Sequence, residues 1–388
     1  MSKRISRRQL GLAAVAGTAL AQTDVAAKHA GALDGFEGRV DAGEFDPVTW
    51  SRERYKAAPL RLAFQAKDRK EAEKWQKRLR EKMVELLGGF PQSRSPLNAS
   101  TLETREFPAY RRERLIFESR PGVAVLAFLI TPLRAKGPLP TVICVPGHGR
   151  GVEDIVGIDE AGRDRTDRPG YQHDFALQVA DHGMAALAIE PLAFGCRRDP
   201  ITRKKGLGST ACYPAAGAAL LLGETMIGWR IWDVMRAIDW IATRPELDAR
   251  RVGCMGISGG GTCTLFAAAL DLRIRAAFVS GYLNTFRDSI LSLSHCIDNY
   301  VPGILNWAEM YDVAGLIAPR PLFSEAGDRD PIFPVAASKE SFARVRKVYE
   351  VFGAGGAAEQ EIFSGVHEFH GLRGLPFLAR ALSAEPRA

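Results

Sequence analysis

The sequence predicts an α/β protein in which helices cover both faces of a mostly parallel, doubly wound sheet, preceded by an N-terminal helical extension. From residue 114 onward, short continuous apolar runs alternate with segments whose apolar residues have helical spacing. Continuous apolar runs are expected for parallel strands that are buried on both faces. The 388 residues are 46% hydrophobic and 25% charged, which is the composition of an ordinary globular protein with a substantial core.

The first residues have the order of an export signal. The basic segment Ser6-Arg7-Arg8-Gln9-Leu10 is similar to a twin-arginine motif, and it precedes a short apolar stretch and the small-residue site Ala19-Leu20-Ala21. We therefore expect residues 1–21 to be a twin-arginine-type signal peptide, cleaved after Ala21, and the mature protein to be periplasmic or secreted. The apolar stretch is too short to cross a bilayer core of about 30 Å, so no integral membrane segment is expected in the mature form.

Two further segments precede the predicted sheet. Residues 22–45 are rich in Gly, Ala and Asp without periodicity, which predicts a flexible mature N-terminus. Residues 46–100 are predicted to form the helical extension, in which Asp68 caps a helix, Glu71 stands at its third position and Gly88-Gly89 ends it. The apolar stripe of this helix, which must pack against another part of the protein, consists of Trp75, Leu79, Met83, Leu86 and Leu87.

The α/β pattern occupies residues 101–388. The predicted strands are 115–118, 123–130, 141–145, 185–189, 252–257, 276–280, 321–325 and 360–363, of which the first two form a hairpin. The predicted helices between them are 171–181, 228–242, 262–270 and 335–349. Long irregular insertions at 191–227 and 282–319 leave the carboxyl ends of strands, where open α/β sheets place their functional sites.

The strongest motif is Gly256-Ile257-Ser258-Gly259-Gly260, which reads G-x-S-x-G. It lies between a short apolar strand and an Ala/Leu-rich helix, which is the setting of a nucleophile elbow. Glycines on both sides allow the strand and the helix to approach closely while Ser258 takes a strained backbone conformation. We therefore expect Ser258 to be the nucleophile.

A serine hydroxyl needs a base that removes its proton. In this architecture the acid and then the histidine follow the serine along the chain. Of the seven histidines in the sequence, only His295, His367 and His370 come after Ser258. His295 lies inside an insertion and precedes the last two strands, whereas His367 and His370 follow the final strand. We prefer His367, which comes first and stands near a glycine, and His370 remains the alternative.

The acid is expected in the loop after strand 321–325. Asp328 and Asp330 are both eligible there. Two prolines follow Asp330 closely and make the loop rigid before the next helix, which favours Asp330. Its carboxylate would hold one imidazole tautomer and stabilise the imidazolium.

An oxyanion formed during acyl transfer needs two backbone N–H donors. Gly259, directly after the nucleophile, is expected to supply one of them. The second is expected from the glycine-rich loop after strand 141–145, from either His148 or Gly149.

Together these segments resemble the α/β-hydrolases, in particular the dienelactone-hydrolase and acetyl-xylan-esterase-like group. The resemblance implies an α/β-hydrolase fold with residues 101–388 as the catalytic domain, and Ser258, Asp330 and His367 as the catalytic triad. Dienelactone hydrolases carry cysteine as the nucleophile, so Ser258 favours ordinary ester hydrolysis. The matching segments are Pro146-Gly147-His148-Gly149, residues 230–237, Gly256 to Gly260, residues 318–321, residues 327–331 and residues 365–369.

The function expected on these grounds is an exported serine hydrolase that cleaves carboxylic esters through an acyl-enzyme. The resemblance implies small-molecule or carbohydrate esters, acetyl esters among them, as substrates. Two alternatives stay open, namely a prolyl-peptidase-like amide hydrolase and a catalytically inactive binding protein on the same scaffold. No feature of the sequence fixes the oligomeric state.

Other function classes have little support in the sequence. The net charge is +7, but no basic stripe interleaved with aromatic residues occurs, so nucleic acid is not an expected partner. No dinucleotide fingerprint is present, and the six cysteines form no C-x-x-C motif. The segment 295–300 contains a His, a Cys and an Asp, but a cluster in one loop is weak support for a metal. We therefore expect neither a cofactor nor a metal.

Overall fold

The computed structural model describes residues 38–383 together with residues 32, 35 and 36. The chain divides into two compact units, residues 1–54 and 55–388. The predicted signal peptide lies outside the described residues, as does most of the predicted flexible segment. The described part of the first unit contains a 3₁₀ turn at Ala42–Phe45 and most of the first helix, whose residues are all at least partly exposed. Among the described residues, no helix is long and apolar enough to span a bilayer.

One sheet organises the second unit, and it is mostly parallel, as predicted. Its order is β1-β2-β3-β5-β4-β6-β7-β8-β9. Strands β1, β2, β3 and β5 pair antiparallel, and every pair from β5 through β4 to β9 is parallel. The strands are β1 (Ser100–Glu106), β2 (Tyr110–Arg120), β3 (Val123–Pro132), β4 (Leu139–Val145), β5 (Ala185–Ile189), β6 (Leu247–Ile257), β7 (Ile274–Ser280), β8 (Leu322–Gly327) and β9 (Ala358–Phe363).

Strand β1 was not predicted from the sequence. Every residue in it is exposed, and its sequence Ser-Thr-Leu-Glu-Thr-Arg-Glu has no apolar face. It forms the edge of the sheet by pairing with β2, and a charged edge strand discourages further pairing with other chains. The predicted hairpin of β2 and β3 is present, and Gly122 in its turn has φ +74°.

Helices cover both faces of the sheet, as predicted. One face packs against α2, α6, α7, α8 and α9, and the other against α3 and α10. Strand β4 shows why both faces are apolar, since Ile143 and Val145 point into the first core while Val142 and Cys144 point into the second. The helices are α1 (Pro47–Lys56), α2 (Arg69–Leu86), α3 (Phe175–Asp181), α4 (Pro200–Arg203), α5 (Cys212–Leu221), α6 (Met226–Ile241), α7 (Gly259–Leu270), α8 (Met310–Gly315), α9 (Val335–Val351) and α10 (Gly374–Ser383).

Helix α2 begins with the predicted cap. The Asp68 carboxylate accepts the Glu71 backbone N–H at 2.9 Å, and the Glu71 carboxylate accepts the Lys67 backbone N–H at 2.9 Å. The apolar stripe of the helix is buried, and its polar atoms fix the docking. The Trp75 indole donates to the Leu62 carbonyl at 2.7 Å, and the Gln76 amide donates to the Ala318 carbonyl at 2.7 Å. Helix α2 therefore packs against the segment that leads into β8.

Both predicted insertions lie where the sequence placed them. The first follows β5 and contains α4 and α5, and the second follows β7 and contains a 3₁₀ turn at Ile297–Asn299 and helix α8. The strands that they follow are parallel neighbours of the central strands β4 and β6. Both insertions therefore rise from the carboxyl edge of the sheet, where Ser258 also lies.

Candidate active site

Ser258 forms the turn between β6 and α7. Its backbone has φ 57° and ψ −122°, a conformation that residues with a side chain rarely adopt. The flanking glycines are required by space, because a Cβ on Gly256 would lie 2.5 Å from the Val145 carbonyl oxygen and one on Gly260 only 1.9 Å from it. Helix α7 thus starts directly against the end of β4, and the sequence produces the sharp elbow that the motif predicted.

The elbow places the N-terminus of helix α7 directly after the serine. The Ser258 N–H donates to the Ser280 carbonyl on β7 at 3.1 Å, which fixes the turn to the neighbouring strand. Gly259 is the first residue of α7, so its N–H has no partner within the helix. The helix dipole adds partial positive charge at the same place.

Asp330 lies in the loop after β8 and is buried. One of its carboxylate oxygens accepts the backbone N–H groups of Ile332 at 2.8 Å and Phe333 at 3.0 Å. The other, Oδ2, lies 2.7 Å from Nδ1 of His367. Asp328 has a different setting, because its side chain is 42% exposed, pairs with Arg329 and accepts the Gly365 N–H.

His367 follows β9 and packs against two aromatic rings. Its imidazole stacks on Tyr171, with centroids 5.8 Å apart, and on Phe333 at 5.5 Å. Its Nε2 is buried and has no hydrogen-bond partner within the part of the chain that the structure describes. A Cβ on Gly281 would lie 3.1 Å from Cε1 of His367, so the absence of a side chain there lets the imidazole lie over the end of β7. The last paired residue of β7, Ser280, is opposite Ile257, which directly precedes Ser258.

His370, the alternative base, packs against the end of strand β9. Its ring stacks on Phe363 with centroids 4.5 Å apart, and its Nδ1 lies 3.5 Å from a carboxylate oxygen of Glu361. Its backbone N–H donates to the buried carboxylate of Glu325 at 3.0 Å, which also accepts the Gly371 N–H at 2.9 Å and the Ser280 hydroxyl at 2.7 Å. Glu325 therefore ties the histidine-bearing loop to the end of β7.

The stability of the folded protein depends on pH through Glu325. Burial raises the pKa of Glu325 to about 7 from an ordinary value of 4.5. The folded protein therefore binds the proton of this carboxyl group more tightly than the unfolded chain does. The protonated group makes its full contribution to the unfolding free energy below about pH 4.5, and this contribution is lost as the pH rises through 7. Replacement of Glu325 by glutamine is expected to reduce the fall in unfolding free energy over that range, by up to about 3 kcal/mol.

Denaturant titrations of wild type and Glu325→Gln at a series of pH values measure this difference. Exposed Glu81, replaced by glutamine, serves as the control. Burial also raises the pKa of Glu190 to about 8 and of Asp312 to about 7, and both stay in every variant, so only the difference between the curves is informative. Parallel curves for wild type and Glu325→Gln would contradict the expectation.

The glycine-rich loop after β4 adjoins the nucleophile. A Cβ on Gly147 would lie 3.1 Å from the Ser258 Cβ. The loop is held by two side chains, since the Gln172 amide oxygen accepts the Gly147 N–H at 2.8 Å and the Tyr171 hydroxyl donates to the His148 carbonyl at 2.6 Å. Burial raises the pKa of Tyr171, so its hydroxyl keeps the proton that it donates.

No pattern along the chain indicated these two side chains. Residues 171–181 were predicted as one helix, but α3 begins only at Phe175. Tyr171 and Gln172 lie in the turn before it, and Tyr171 contacts both the loop after β4 and the His367 ring. A residue that joins two distant loops leaves no periodicity along the chain that could reveal it.

The segment 295–300 divides into two environments. The His295 ring packs against Phe333 with centroids 5.3 Å apart, and burial lowers its pKa to about 4, so it is neutral at pH 7. Asp298 points instead to Arg230, with which it forms a buried ion pair. His295 therefore borders the His367 pocket, and Asp298 faces the side of the site that carries His148.

The arrangement contains the groups that nucleophilic acyl transfer requires. A serine stands at a strained turn beside a helix N-terminus. One nitrogen of an imidazole lies on a buried carboxylate, and the other has no hydrogen-bond partner among the described residues. An imidazole held in this way can take a proton from a hydroxyl at the strand ends and return it to a leaving group.

Comparison with known proteins gives matches over most of the chain. The sequence pattern of the Abhydrolase family matches residues 55–354. A protein of Bacillus subtilis (strain 168) named "Putative hydrolase YtaP" is 27% identical over 284 residues, which is 71% of this chain and 88% of that protein.

Solved structures share the fold at low sequence identity. A structure described as a "putative acetyl xylan esterase" from Bacteroides fragilis superposes with a TM-score of 0.70 at 21% identity, covering 82% of each chain. A glucuronoyl esterase from Solibacter usitatus has a TM-score of 0.61 at 18% identity, covering 84% of this chain and 98% of that one. The methylesterase BT1017 has a TM-score of 0.63 at 18% identity, covering 84% and 68%. The predicted α/β-hydrolase fold is thereby confirmed.

Proposed function

Because the chain belongs to the Abhydrolase family, we propose that it is a serine esterase with a triad of Ser258, His367 and Asp330. In this proposal, Oγ of Ser258 attacks the ester carbonyl while Nε2 of His367 accepts its proton. Asp330 keeps Nδ1 of the imidazole protonated and stabilises the imidazolium that forms.

The negative charge of the tetrahedral intermediate is assigned to two backbone donors. One is the N–H of Gly259 at the start of α7, and the other is the N–H of His148 or Gly149 in the loop after β4. His367 then protonates the departing alcohol and leaves an acyl group on Ser258. A water molecule, deprotonated by the same imidazole, releases the acid and restores the serine.

The observation that carries the proposal is the state of the two nitrogens of His367. Its Nδ1 lies 2.7 Å from a carboxylate that backbone N–H groups hold in place. Its Nε2 is buried and has no hydrogen-bond partner among the described residues, so it is available to accept a proton from a hydroxyl. Asp328 and His370 have no comparable contact with each other among the described residues, which favours Asp330 and His367.

Carboxylic esters of carbohydrates are the proposed substrates, with acetyl esters first. This step rests on the names of proteins with a similar fold, which include an acetyl xylan esterase and a glucuronoyl esterase. Export through the twin-arginine route is part of the same proposal and rests on the order of segments in residues 1–21. A polymeric substrate outside the cytoplasm would be consistent with both parts.

A substrate panel tests the proposal. The chain without residues 1–21 is assayed on an acetylated xylo-oligosaccharide, a methyl ester of glucuronic acid, aryl esters of increasing acyl length and a prolyl aryl amide. We expect acetyl esters to be cleaved at least about 10-fold faster, in kcat/KM, than long-chain esters, because one misplaced methylene in a closed pocket costs about 1–3 kcal/mol.

Other outcomes of the panel would favour the alternatives. Cleavage of the prolyl amide as fast as the esters would favour the peptidase, although the described residues before β1 form only helices and turns and no propeller. The absence of turnover and of an initial burst with an activated aryl ester would favour the inactive binding protein. Preference for the glucuronate methyl ester would keep the mechanism and replace the acetyl specificity.

A further inference from the structure

Four side chains with metal-binding atoms converge beside the candidate site. They come from three separate parts of the chain: the loop after β4, the start of α5 in the first insertion and the 3₁₀ turn in the second insertion. Their nearest donor atoms all lie within 4.8 Å of one another. This group, called the thiol–imidazole cluster below, consists of His148, Cys212, Cys296 and Asp298.

The distances within the cluster suit a small tetrahedral ion. Nε2 of His148 lies 3.8 Å from Sγ of Cys212 and 3.6 Å from Oδ2 of Asp298. Zinc bonds of about 2.0–2.3 Å in a tetrahedron separate the ligand atoms by about 3.3–3.8 Å. The two distances that join His148 to Cys212 and Asp298 therefore already fit a central ion, and every other pair of donor atoms lies within 4.8 Å.

The donor types select the metal. Thiolates and imidazole are ligands of zinc, whereas calcium and magnesium take oxygen ligands almost exclusively. The cluster also has an inner and an outer side, since Cys212 is 1% exposed and Asp298 2%, while the His148 side chain is 30% exposed. An ion can therefore reach the cluster from the side of His148.

Arg230 balances the charge of such a site. Its guanidinium contacts Asp298 and lies 3.5 Å from Sγ of Cys212, and the Leu192 carbonyl and the Phe194 ring hold it in place. Two thiolates and one carboxylate carry three negative charges, which a divalent zinc ion and one guanidinium neutralise. Arg230 would thus act as an outer-sphere partner that orients the Asp298 carboxylate.

We propose that the thiol–imidazole cluster binds one zinc ion that fixes the two insertions to the loop after β4. The ion takes no part in bond making or breaking. Its effect on the neighbouring site is one of position. A Cβ on Gly259 would lie 3.0 Å from the His148 ring, so an imidazole held by the ion would also hold the residues around the start of α7 in place. A disulfide between Cys212 and Cys296 is the competing arrangement, but it would use only two of the four donors, and the two sulfurs are not bonded in the structure.

Metal content tests the proposal without reference to activity. The full chain is purified under reducing conditions without chelator, and its zinc content is measured by elemental mass spectrometry. We expect one zinc per chain in wild type and in Cys196→Ser, whose exposed cysteine lies outside the cluster, and none in the Cys212→Ser, Cys296→Ser double variant. Circular dichroism shows whether the double variant is folded.

Cobalt gives a second measurement that does not depend on any variant. Wild-type protein stripped of metal and reduced is titrated with cobalt(II), and the visible bands and thiolate charge-transfer bands of tetrahedral coordination are expected to saturate at one equivalent. A reduced, folded wild type that holds no zinc and develops no cobalt bands would overturn the proposal. Isolation as a Cys212–Cys296 disulfide that takes up no metal after reduction would overturn it in favour of the disulfide. Neither result depends on whether Ser258 hydrolyses esters.

Discussion

Replacement of Ser258 by alanine is expected to lower ester turnover by about 10³-fold or more while the protein stays folded. Without the nucleophile no acyl-enzyme can form. The remaining catalysis would come only from substrate binding and the backbone N–H donors. The change removes one oxygen at a turn that backbone hydrogen bonds already fix to β7. Thermal unfolding followed by circular dichroism, beside kcat on an aryl acetate, measures both quantities.

A covalent probe identifies the same residue independently. A fluorophosphonate is expected to label wild type once per chain and to leave Ser258→Ala unlabelled. Ser93→Ala, which changes an exposed serine in a loop, is the matched control and should keep full labelling and turnover. Labelling of Ser258→Ala at the wild-type rate would place the nucleophile at another residue.

The second large effect concerns the two pairs of neighbouring candidates. His367→Ala is expected to lower kcat by about 10³-fold or more, because the serine loses its base. His370→Ala is expected to change it by less than about 10-fold, since that ring stacks on Phe363 and faces Glu361. The steady-state kcat of each variant, with circular dichroism as the check on folding, decides between them.

The acids are compared in the same way. Asp330→Asn leaves the size of the side chain unchanged but removes the charge next to the imidazole, so a loss of about 10⁴-fold in kcat is expected. Asp328→Asn alters a half-exposed turn residue paired with Arg329 and serves as the matched control. A greater loss of kcat in Asp328→Asn than in Asp330→Asn would assign the acid to Asp328. A greater loss in His370→Ala than in His367→Ala would assign the base to His370.

The sheet and the places of the candidate residues could be predicted because they depend on local patterns. A continuous apolar run such as β5 must be buried on both faces, and the carboxyl ends of parallel strands meet at one edge. Ser258, Asp330 and His367 each come within four residues of the end of a strand, so the order of the strands places them near that edge. Strand β1 was missed because all its residues are exposed, so its sequence has no apolar face that would indicate a strand.

Contacts between separate loops could not be predicted in this way. Tyr171 joins the loop after β4 to His367, but nothing in its neighbourhood along the chain distinguishes it from a residue of helix α3. The thiol–imidazole cluster was missed for the same reason, since Cys212 is 64 residues from His148 and belongs to a helix that the sequence did not predict. The sequence led us to expect no metal, and the measured zinc content will decide between that expectation and the proposed site.

The strained turn at Ser258 also bears on how evolution has treated this chain. A side chain at φ 57° and ψ −122° has a free-energy cost of about 1–3 kcal/mol that glycine would largely avoid. Drift under selection for folding alone would therefore favour glycine at this position. The buried residues of β4, in contrast, are those that folding itself would choose. In the proposed mechanism, selection for chemistry keeps a serine here against its conformational preference, and a descendant that lost its activity is expected to relax at this residue first.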